Sequence, residues 1–371
     1  MVKIGILTYP LNNNYGCYLQ SYALLHFLQE KGYEVEYIYR RHDKPSWKTY
    51  IRYALKTLAK NIRKGEWDSF ILNYEWNYML KKGKDLYPFF EHYIVPHTQP
   101  LYTTSQLKKQ CLNYDIIIVG SDQVWRAEIL SNVEDYFLIF LKNKSIKRIA
   151  YAASFGKDNP GFSESQKISC GIAISNFYAV SVREDSGLNI IKKYHWTCPP
   201  CEVVLDPTLL LNKEEYLDLL REKSYPSIIF GYLLDHSNEK TSIMDKVSQL
   251  LHTEAFDIIQ GTISEDFVYP PIEKWLGYLS NAKFVVTDSF HGMVFSILFN
   301  KPFVVIVNHE RGAVRFLSFL KFLKLEDRIV DNASDITKVI ETDINWEEVN
   351  AELNKKKRAS IDFLLRSINN R

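Results

Sequence analysis

Hydrophobic positions along the chain follow two periods, one typical of buried strands and the other of amphipathic helices. Strands are predicted at residues 3–9, 32–39, 114–120, 147–154, 178–182, 203–205, 227–234, 255–259, 283–287 and 302–307. Helices are predicted between them at residues 18–31, 163–175, 213–222, 238–251, 271–280 and 290–299. This alternation of strands and helices favours parallel sheets with helices on both faces, which is the α/β class.

The chain is long enough for two domains, and a proline connector marks the boundary between them. Its 371 residues exceed what a single core of ordinary size holds. The CPPC segment at residues 198–201 indicates a stiff linker; half a zinc site is the alternative, but no second Cys or His pair follows at a usable distance. We predict an N-terminal domain at residues 1–197 with a helical insertion at about 41–110, a C-terminal domain at 202–345 and a C-terminal helix at 346–371.

Charge and cysteine content exclude several classes of protein. The 46 Lys and Arg residues nearly balance 44 Asp and Glu residues, so no basic excess indicates nucleic-acid binding. Five cysteines do not form a disulfide framework, and no apolar run has the length of a membrane span, so we expect a cytoplasmic protein. The basic amphipathic pattern near residues 47–63 indicates a packed surface helix, with peripheral contact at the inner face of the membrane as the alternative.

Polar clusters follow six of the predicted strands, at the sheet edge where α/β proteins bind their ligands. The most informative is TDSFHG at residues 287–292, because a helix N-terminus there offers free N–H groups to an anion. Gly292 permits close approach of a ligand, and His291 adds a donor or moves a proton. The alternative is that Asp288 or Ser289 only caps the helix while His291 packs on the sheet.

Other clusters supply candidate groups for the same site. Asp122, in GSDQVW at residues 120–125, is suited to accept a proton from a sugar hydroxyl on which Trp125 stacks; a turn with Trp125 in the core is the alternative. Arg183 needs either an external anion or a structural ion pair. Arg311 and Arg315, four residues apart, form either an anion clamp or a solvated helix start. No dinucleotide, P-loop, serine-hydrolase or zinc-protease motif is present at these positions.

The ordered set of clusters resembles the polysaccharide pyruvyl transferase family. The segments that carry the resemblance are NNNYG at 12–16, GSDQVW at 120–125, YAASFG at 151–156, SVRE at 181–184, LDPTLL at 205–210 and TDSFHG at 287–292. The resemblance implies a GT-B-like fold, in which two Rossmann-like parallel-sheet domains face a central cleft and the C-terminal helix crosses back to the first domain. It further implies transfer of pyruvate from phosphoenolpyruvate to a sugar or lipid-linked oligosaccharide of a capsular or other cell-surface polysaccharide, as a ketal.

The resemblance, together with the positions of the polar residues at strand ends and the lack of an obvious metal cluster, suggests roles for residues on both sides of the cleft. His291 and Asp122 are expected to be catalytic, without a metal or other cofactor. The donor site is expected to contain Arg183, Ser289, His291, Gly292, Arg311 and Arg315, and the acceptor site Asn14, Tyr15, Gly16, Ser121, Asp122, Gln123 and Trp125.

One departure from the family leaves two other functions open. Many members carry Arg where this chain has Ser289, and Arg311 or Arg315 is a candidate to replace that charge. A GT-B glycosyltransferase that uses a nucleotide-sugar is the first alternative, because its phosphates would suit the same helix N-terminus. A sugar-binding relative without activity is the second.

Overall fold

The described residues form two parallel sheets, one in each half of the chain. The computed structural model describes residues 2–42, 51, 81–142, 145–222, 224–259, 267–307 and 312–370. The first sheet contains β1 (Lys3–Leu7), β2 (Glu34–Tyr37), β3 (Ile116–Val119), β4 (Lys147–Ala153), β5 (Ala179–Val182) and β6 (Cys201–Val203). The second contains β7 (Ile229–Tyr232), β8 (Ala255–Asp257), β9 (Phe284–Thr287), β10 (Phe303–Ile306) and β11 (Ile329–Val330).

Helices cover the faces of both sheets, as expected for strands that are apolar on both sides. In the first half these are α1 (Tyr15–Glu30), α2 (Tyr87–Tyr93), α3 (Thr104–Cys111), α4 (Glu164–Ile174) and α5 (Asp185–Lys193). In the second half they are α6 (Lys213–Leu217), α7 (Asn238–Leu251), α8 (Ile272–Asn281), α9 (Phe290–Leu298), α10 (Ala313–Phe322), α11 (Ile336–Glu341) and α12 (Trp346–Asn369). No helix among these described residues is long and apolar enough to cross a membrane. Apart from residue 51, the predicted basic helix near 47–63 lies outside the described residues.

The strand orders create one switch point in each sheet. The first sheet has the order β2-β1-β3-β4-β5-β6, so the chain moves to opposite sides after β1 and after β3. The second has the order β11-β10-β9-β7-β8, and the corresponding break lies between β7 and β9. Loops diverge at such a break and leave a crevice at the carboxyl ends of the strands. Each domain therefore presents one crevice for a ligand.

The long helix α12 joins the C-terminal part of the chain to the first sheet. Ser360 Oγ accepts a hydrogen bond of 3.0 Å from the backbone N–H of Leu205, close after β6. Lys147 Nζ, at the start of β4, donates to the carbonyl oxygens of Ser367 and Ile368 at 3.3 and 3.0 Å. Because α12 follows the second sheet in the chain, these contacts hold the two domains together from behind the cleft.

Replacement of Ser360 by Ala tests this connection. The change leaves the buried Leu205 N–H without its partner, so we expect a loss of about 1–3 kcal/mol in the free energy of unfolding, measured by urea titration. Ser367→Ala is the matched control, because both serines are buried in α12 and donate to the carbonyl four residues earlier. Equal losses in the two variants would contradict a specific role for the bond to Leu205.

Candidate active site

A cavity of about 220 Å³ lies where the two switch points meet. Its residues come from both domains, so the cavity exists only when the domains face each other. The N-terminal wall is formed by Tyr9, Asn12, Asn14, Cys17, Asp122, Gln123, Arg126 and Ile129, and the C-terminal wall by Leu234, Asp288, Ser289, Phe290, His291, Arg315 and Phe316.

His291 reaches across the cleft and packs against the backbone of the opposite domain. A Cβ atom at Gly16 would lie 1.9 Å from Nδ1 of the imidazole, so only glycine permits this approach. The ring is 4% exposed, and Nε2 has no hydrogen bond within the described part of the chain. Nε2 is 3.7 Å from Oδ2 of Asp206. His291 thus faces the first domain and does not pack on its own sheet.

Asp206 is the centre of a buried polar network beneath the cavity. Its Oδ2 accepts hydrogen bonds from Arg183 Nη1 at 2.8 Å and from Ser121 Oγ at 3.0 Å. Its Oδ1 accepts from the backbone N–H and the hydroxyl of Thr208 at 3.0 and 2.8 Å. Burial alone raises the pKa of Asp206, but the positive charges of His291 and Arg183 outweigh it and hold the pKa far below its ordinary value. The carboxylate is therefore ionised at neutral pH.

Asp122 is the acidic group of the N-terminal wall. Its backbone has φ of 65°, a left-handed conformation that Asp tolerates better than most residues and that directs the turn after β3. Oδ2 accepts a bond of 3.1 Å from the Cys17 thiol, and Oδ1 is 3.6 Å from Arg183 Nη2. Burial raises the pKa of Asp122, whereas the charges of Arg183, His291 and Arg315 lower it. The lowering is the larger effect, so the net pKa is below its ordinary value. An ionised carboxylate here can accept a proton but not supply one.

Two arginines give the cavity its positive charge. Arg126 is held in place by Glu128, whose Oε2 accepts from Nε and Nη2 at 3.1 and 2.7 Å, and by Gln123 Oε1 at 2.7 Å. Arg315 enters from α10 and lies 5.7 Å from the centre of the Phe290 ring. Burial and the neighbouring Arg183 lower the pKa of Arg315 to about 10, which still leaves it protonated at neutral pH.

The turn into α9 combines helix capping with a place on the cavity wall. Ser289 is the N-cap, and its Oγ accepts from the Gly292 N–H at 3.4 Å. Asp288 has partners within its own domain: its Oδ1 accepts a hydrogen bond from the Leu234 N–H at 2.7 Å, and its Oδ2 forms an ion pair with Lys240. Gly292 lies against the preceding strand, where a Cβ would be 2.3 Å from Thr287 Oγ1. Gly292 thus permits close packing of α9 on β9, and its predicted contact with the donor stays a prediction.

Arg183, another of the predicted donor residues, has its partners inside the protein. It lies beneath the cavity wall, and its guanidinium stacks on Phe290 at 4.4 Å from the ring centre. Internal carboxylates supply the partners of its charge, since Asp206 is 2.8 Å and Glu184 3.7 Å away. Arg183 thus positions other groups within the protein, and its predicted direct contact with the donor stays a prediction. Arg311 lies outside the described residues.

Four predicted acceptor residues serve the protein interior, whereas Asn14, Asp122 and Gln123 do line the cavity. Trp125 is fully buried, stacks on Phe137 at 4.9 Å between ring centres and donates to the Tyr136 carbonyl, so it cannot stack on a sugar. Tyr15 is also fully buried; it stacks on Trp275 and donates to the Pro270 carbonyl in the other domain. The remaining two, Ser121 and Gly16, contact Asp206 and His291 as described above.

The sequence predictions missed three residues that shape the site, namely Cys17, Arg126 and Asp206. Asp206 lies within one of the polar clusters, so the signal was present, but nothing in one sequence indicates that it pairs with Arg183. Arg126 follows the GSDQVW cluster directly, and adjacency was its only signal. Cys17 occupies an apolar helix position and has no signal of its own.

Comparison with known proteins identifies the family. A sequence profile described as polysaccharide pyruvyl transferase matches residues 14–310, which is most of the chain and includes five of the six clusters described above in full and the last three residues of the first. The chain belongs to the polysaccharide pyruvyl transferase family. It is also 23% identical over 302 residues to general stress protein 30 of Bacillus subtilis (strain 168), covering 76% of this chain and 83% of that protein.

Solved structures confirm the GT-B-like fold of this family member. A UDP-GlcNAc 2-epimerase of Methanocaldococcus jannaschii has a TM-score of 0.56 at 11% identity, with 98% of this chain and 99% of that chain covered. The epimerase of Neisseria meningitidis bound to UDP-GlcNAc has a TM-score of 0.54 at 9% identity, with coverage of 99% and 100%. At such low identity the likeness concerns the fold alone: two Rossmann-like domains facing a cleft.

Replacement of Asp206 by Asn tests the network under the transferase cavity. It leaves Arg183 buried without its closest partner, so we expect a loss of about 3–5 kcal/mol in unfolding free energy at pH 7. Because the pKa of Asp206 is lowered by folding, its contribution is complete above the unfolded value of about 3.9 and declines as the pH falls below it.

Urea titrations of both proteins between pH 7 and pH 3 measure this dependence. The difference between wild type and Asp206→Asn should shrink in the acidic range. Asp245→Asn, at an exposed position of α7, is the control and should change little at any pH. A small and pH-independent loss for Asp206→Asn would disprove the proposed network.

Proposed function

We propose that the chain transfers the pyruvyl group of phosphoenolpyruvate to a sugar of a cell-surface polysaccharide precursor and forms a ketal. The observation that carries the proposal is the shared cavity, which is lined by His291 from one domain, by Asp122 from the other and by two buried arginines, Arg126 and Arg315. Family membership supports a transferase, and the cavity chemistry supports this donor.

The positive groups suit a small donor with two acidic functions. Phosphoenolpyruvate carries a phosphate and a carboxylate, and guanidinium groups bind both in bidentate geometry. Arg126 and Arg315 supply such groups on opposite walls of the cavity. The N-terminus of α9 adds the positive end of a helix dipole behind Ser289. Arg315 thereby supports donor binding without the arginine that many relatives carry at the position of Ser289.

Two proton transfers are needed, and the site holds one group suited to each. In this proposal His291, in its protonated form, supplies a proton to the donor methylene carbon, which leaves a positive centre at the adjacent carbon. A sugar hydroxyl attacks that carbon and gives its proton to Asp122, which is ionised and lines the same cavity. The second hydroxyl then forms a C–O bond to the same carbon as the phosphate leaves with its bonding pair and takes up the second hydroxyl proton.

Removal of the imidazole tests the acid. His291→Ala should lower the rate of phosphate release from phosphoenolpyruvate by about 100- to 10,000-fold, because proton transfer by a positioned side chain contributes that much. The assay contains phosphoenolpyruvate, a panel of galactosides, glucosides and mannosides, and a phosphate detector. His92→Ala, which changes an exposed histidine of α2, is the control and should retain full activity.

Thermal melting tests whether the His291→Ala variant still folds and binds the donor. His291→Ala should still be stabilised by phosphoenolpyruvate, because the arginines remain. Unchanged phosphate release in this variant would refute the assignment of His291. Stabilisation of the wild type by UDP-sugars together with no effect of phosphoenolpyruvate would favour a glycosyltransferase, and sugar binding without turnover would favour a non-catalytic relative.

Loss of the guanidinium of Arg315 tests the donor site separately. Arg315→Gln should raise the KM for phosphoenolpyruvate by roughly 10- to 100-fold, the effect of losing a charge-assisted hydrogen bond to an anion. The KM for the sugar should change little. Arg221→Gln, where the side chain is 66% exposed beside Glu273, is the matched control. If the two variants behave alike, Arg315 has no place in donor binding.

A further inference from the structure

The first turn of α1 lies between the two domains at the edge of the active-site cavity. Asn14 caps it, with Oδ1 accepting a hydrogen bond of 2.9 Å from the Gly16 N–H. The Tyr15 hydroxyl donates to the Pro270 carbonyl of the second domain at 3.0 Å. Gly16 lies against the imidazole of His291, also from the second domain. This turn is therefore a place where the second domain is docked on the first.

The next residue, Cys17, contacts the first domain instead. Its thiol donates to Asp122 Oδ2 at 3.1 Å, and both residues are buried and line the cavity. Among the described residues no other group donates a hydrogen bond to this carboxylate, and Arg183 Nη2 lies 3.6 Å from Oδ1, at an ion-pair distance. The thiol is thus the group that determines how the carboxylate is turned.

Buried hydrogen bonds fix Cys17 itself to the first sheet. Ser21 Oγ and Gln20 Nε2 donate to the Cys17 carbonyl at 2.8 and 3.1 Å. Ser21 Oγ lies 3.1 Å from the hydroxyl of Thr8, directly after β1, and all three of these polar side chains are buried. Satisfied buried networks of this kind make a segment rigid. The start of α1 is therefore a firm support for a neighbouring side chain.

A thiol is suited to hold a carboxylate that has to accept a proton. It is a weak donor, whereas Arg and Lys form strong charge-assisted bonds that stabilise the ionised form. The charges of neighbouring residues already lower the pKa of Asp122, so a further strong donor would weaken it as a base. Burial, together with the nearby carboxylate, raises the pKa of Cys17 well above its ordinary value. The thiol therefore keeps its proton and remains a donor.

We propose that Cys17 is a positioning residue, which turns the Asp122 carboxylate toward the sugar hydroxyl, while the adjacent Gly16 sets the approach of His291. Two consecutive residues of one helix turn thereby determine the separation of acid and base across the domain boundary. The inference deepens the proposed function and rests on it for the effect of Cys17 on the reaction rate. The hydrogen bond to Asp122 is tested without it.

Removal of the thiol tests the effect on the rate. In the phosphate-release assay, Cys17→Ala should lower kcat about tenfold, the effect of one ordinary hydrogen bond, and leave the KM for phosphoenolpyruvate unchanged. Cys17→Ser keeps a donor of similar size and should recover most of the loss. Cys111→Ala is the matched control, because Cys111 is another buried free cysteine and is not among the described residues of the cavity wall. It should retain the kcat of the wild type.

A kinetic double-mutant cycle separates positioning from a general structural role. In the Asp122→Asn background, Cys17→Ala should have little further effect on kcat, because the thiol acts through the carboxylate that is already lost. A structural contribution would give the same fold-loss in both backgrounds. Equal fold-losses, or a Cys17→Ser variant as slow as Cys17→Ala, would overturn the inference.

Infrared spectroscopy tests the hydrogen bond in the absence of substrates. The S–H stretching band of a thiol lies at lower wavenumber when the thiol donates to an ionised carboxylate. The band that is lost in Cys17→Ser belongs to Cys17, and it should move to higher wavenumber in Asp122→Asn. Cys111→Ala should leave this band in place. A Cys17 band that does not respond to Asp122→Asn would refute the contact.

The two measurements distinguish failure of this inference from failure of the proposed function. No phosphate release by the wild type with any sugar, together with the expected band shift, would remove the proposed reaction and keep Cys17 as the residue that orients Asp122. Phosphate release by the wild type, with an unchanged kcat in Cys17→Ala, would keep the proposed function and remove the positioning role.

Discussion

The ion pair between Arg183 and Asp206 is the contact on which the arrangement of the site depends. Asp206 lies in the connection between the two sheets, and the same carboxylate is near His291 of the second domain. Arg183 in turn is near Asp122. One buried network therefore positions both His291 and Asp122 in the cavity wall. A buried pair gains little net stability from its charges, because desolvation opposes the attraction. Its effect here is to fix positions.

Close backbone approach between the domains is the second constraint. Gly16 admits the imidazole of His291, and a Cβ at Gly312 would lie 1.9 Å from the Gly156 carbonyl oxygen of the opposite domain. Both Gly156 and Gly312 have positive φ, at 76° and 99°, so neither position suits another residue. Contacts at two places along the cleft leave a cavity of defined width. Glycine therefore matters here for the space it leaves between domains.

Local patterns predicted the framework well, because apolar strands and helix caps are properties of short segments. The helix predicted at residues 238–251 matches α7 residue for residue, and the strand before His291 is in place. The short helix α5 was missed, since nine residues give too few turns for a clear period, and α2 was expected only as an unbounded part of the helical insertion at about 41–110. In the site, Asp122 and His291 could be predicted because each follows the end of a strand. Position at a strand end could not separate residues that face the cavity from Trp125, which faces the core, because that depends on packing across sequence-distant elements.

The electrostatics of the cavity show how a nearly neutral chain places two arginines in one buried cavity. Glu128 balances Arg126, Asp206 balances Arg183, and Lys240 balances Asp288, so most charges are matched within the protein. Arg315 lies among both signs of charge: burial and the adjacent Arg183 lower its pKa to about 10 and outweigh the carboxylates of Asp122 and Glu184, which favour its charged form, so the charged form is held at a cost. An anion in the cavity would offset that cost. The arginines also lower the pKa of Asp122 and keep it ionised, so the proposed base and the proposed anionic donor are compatible in one cavity.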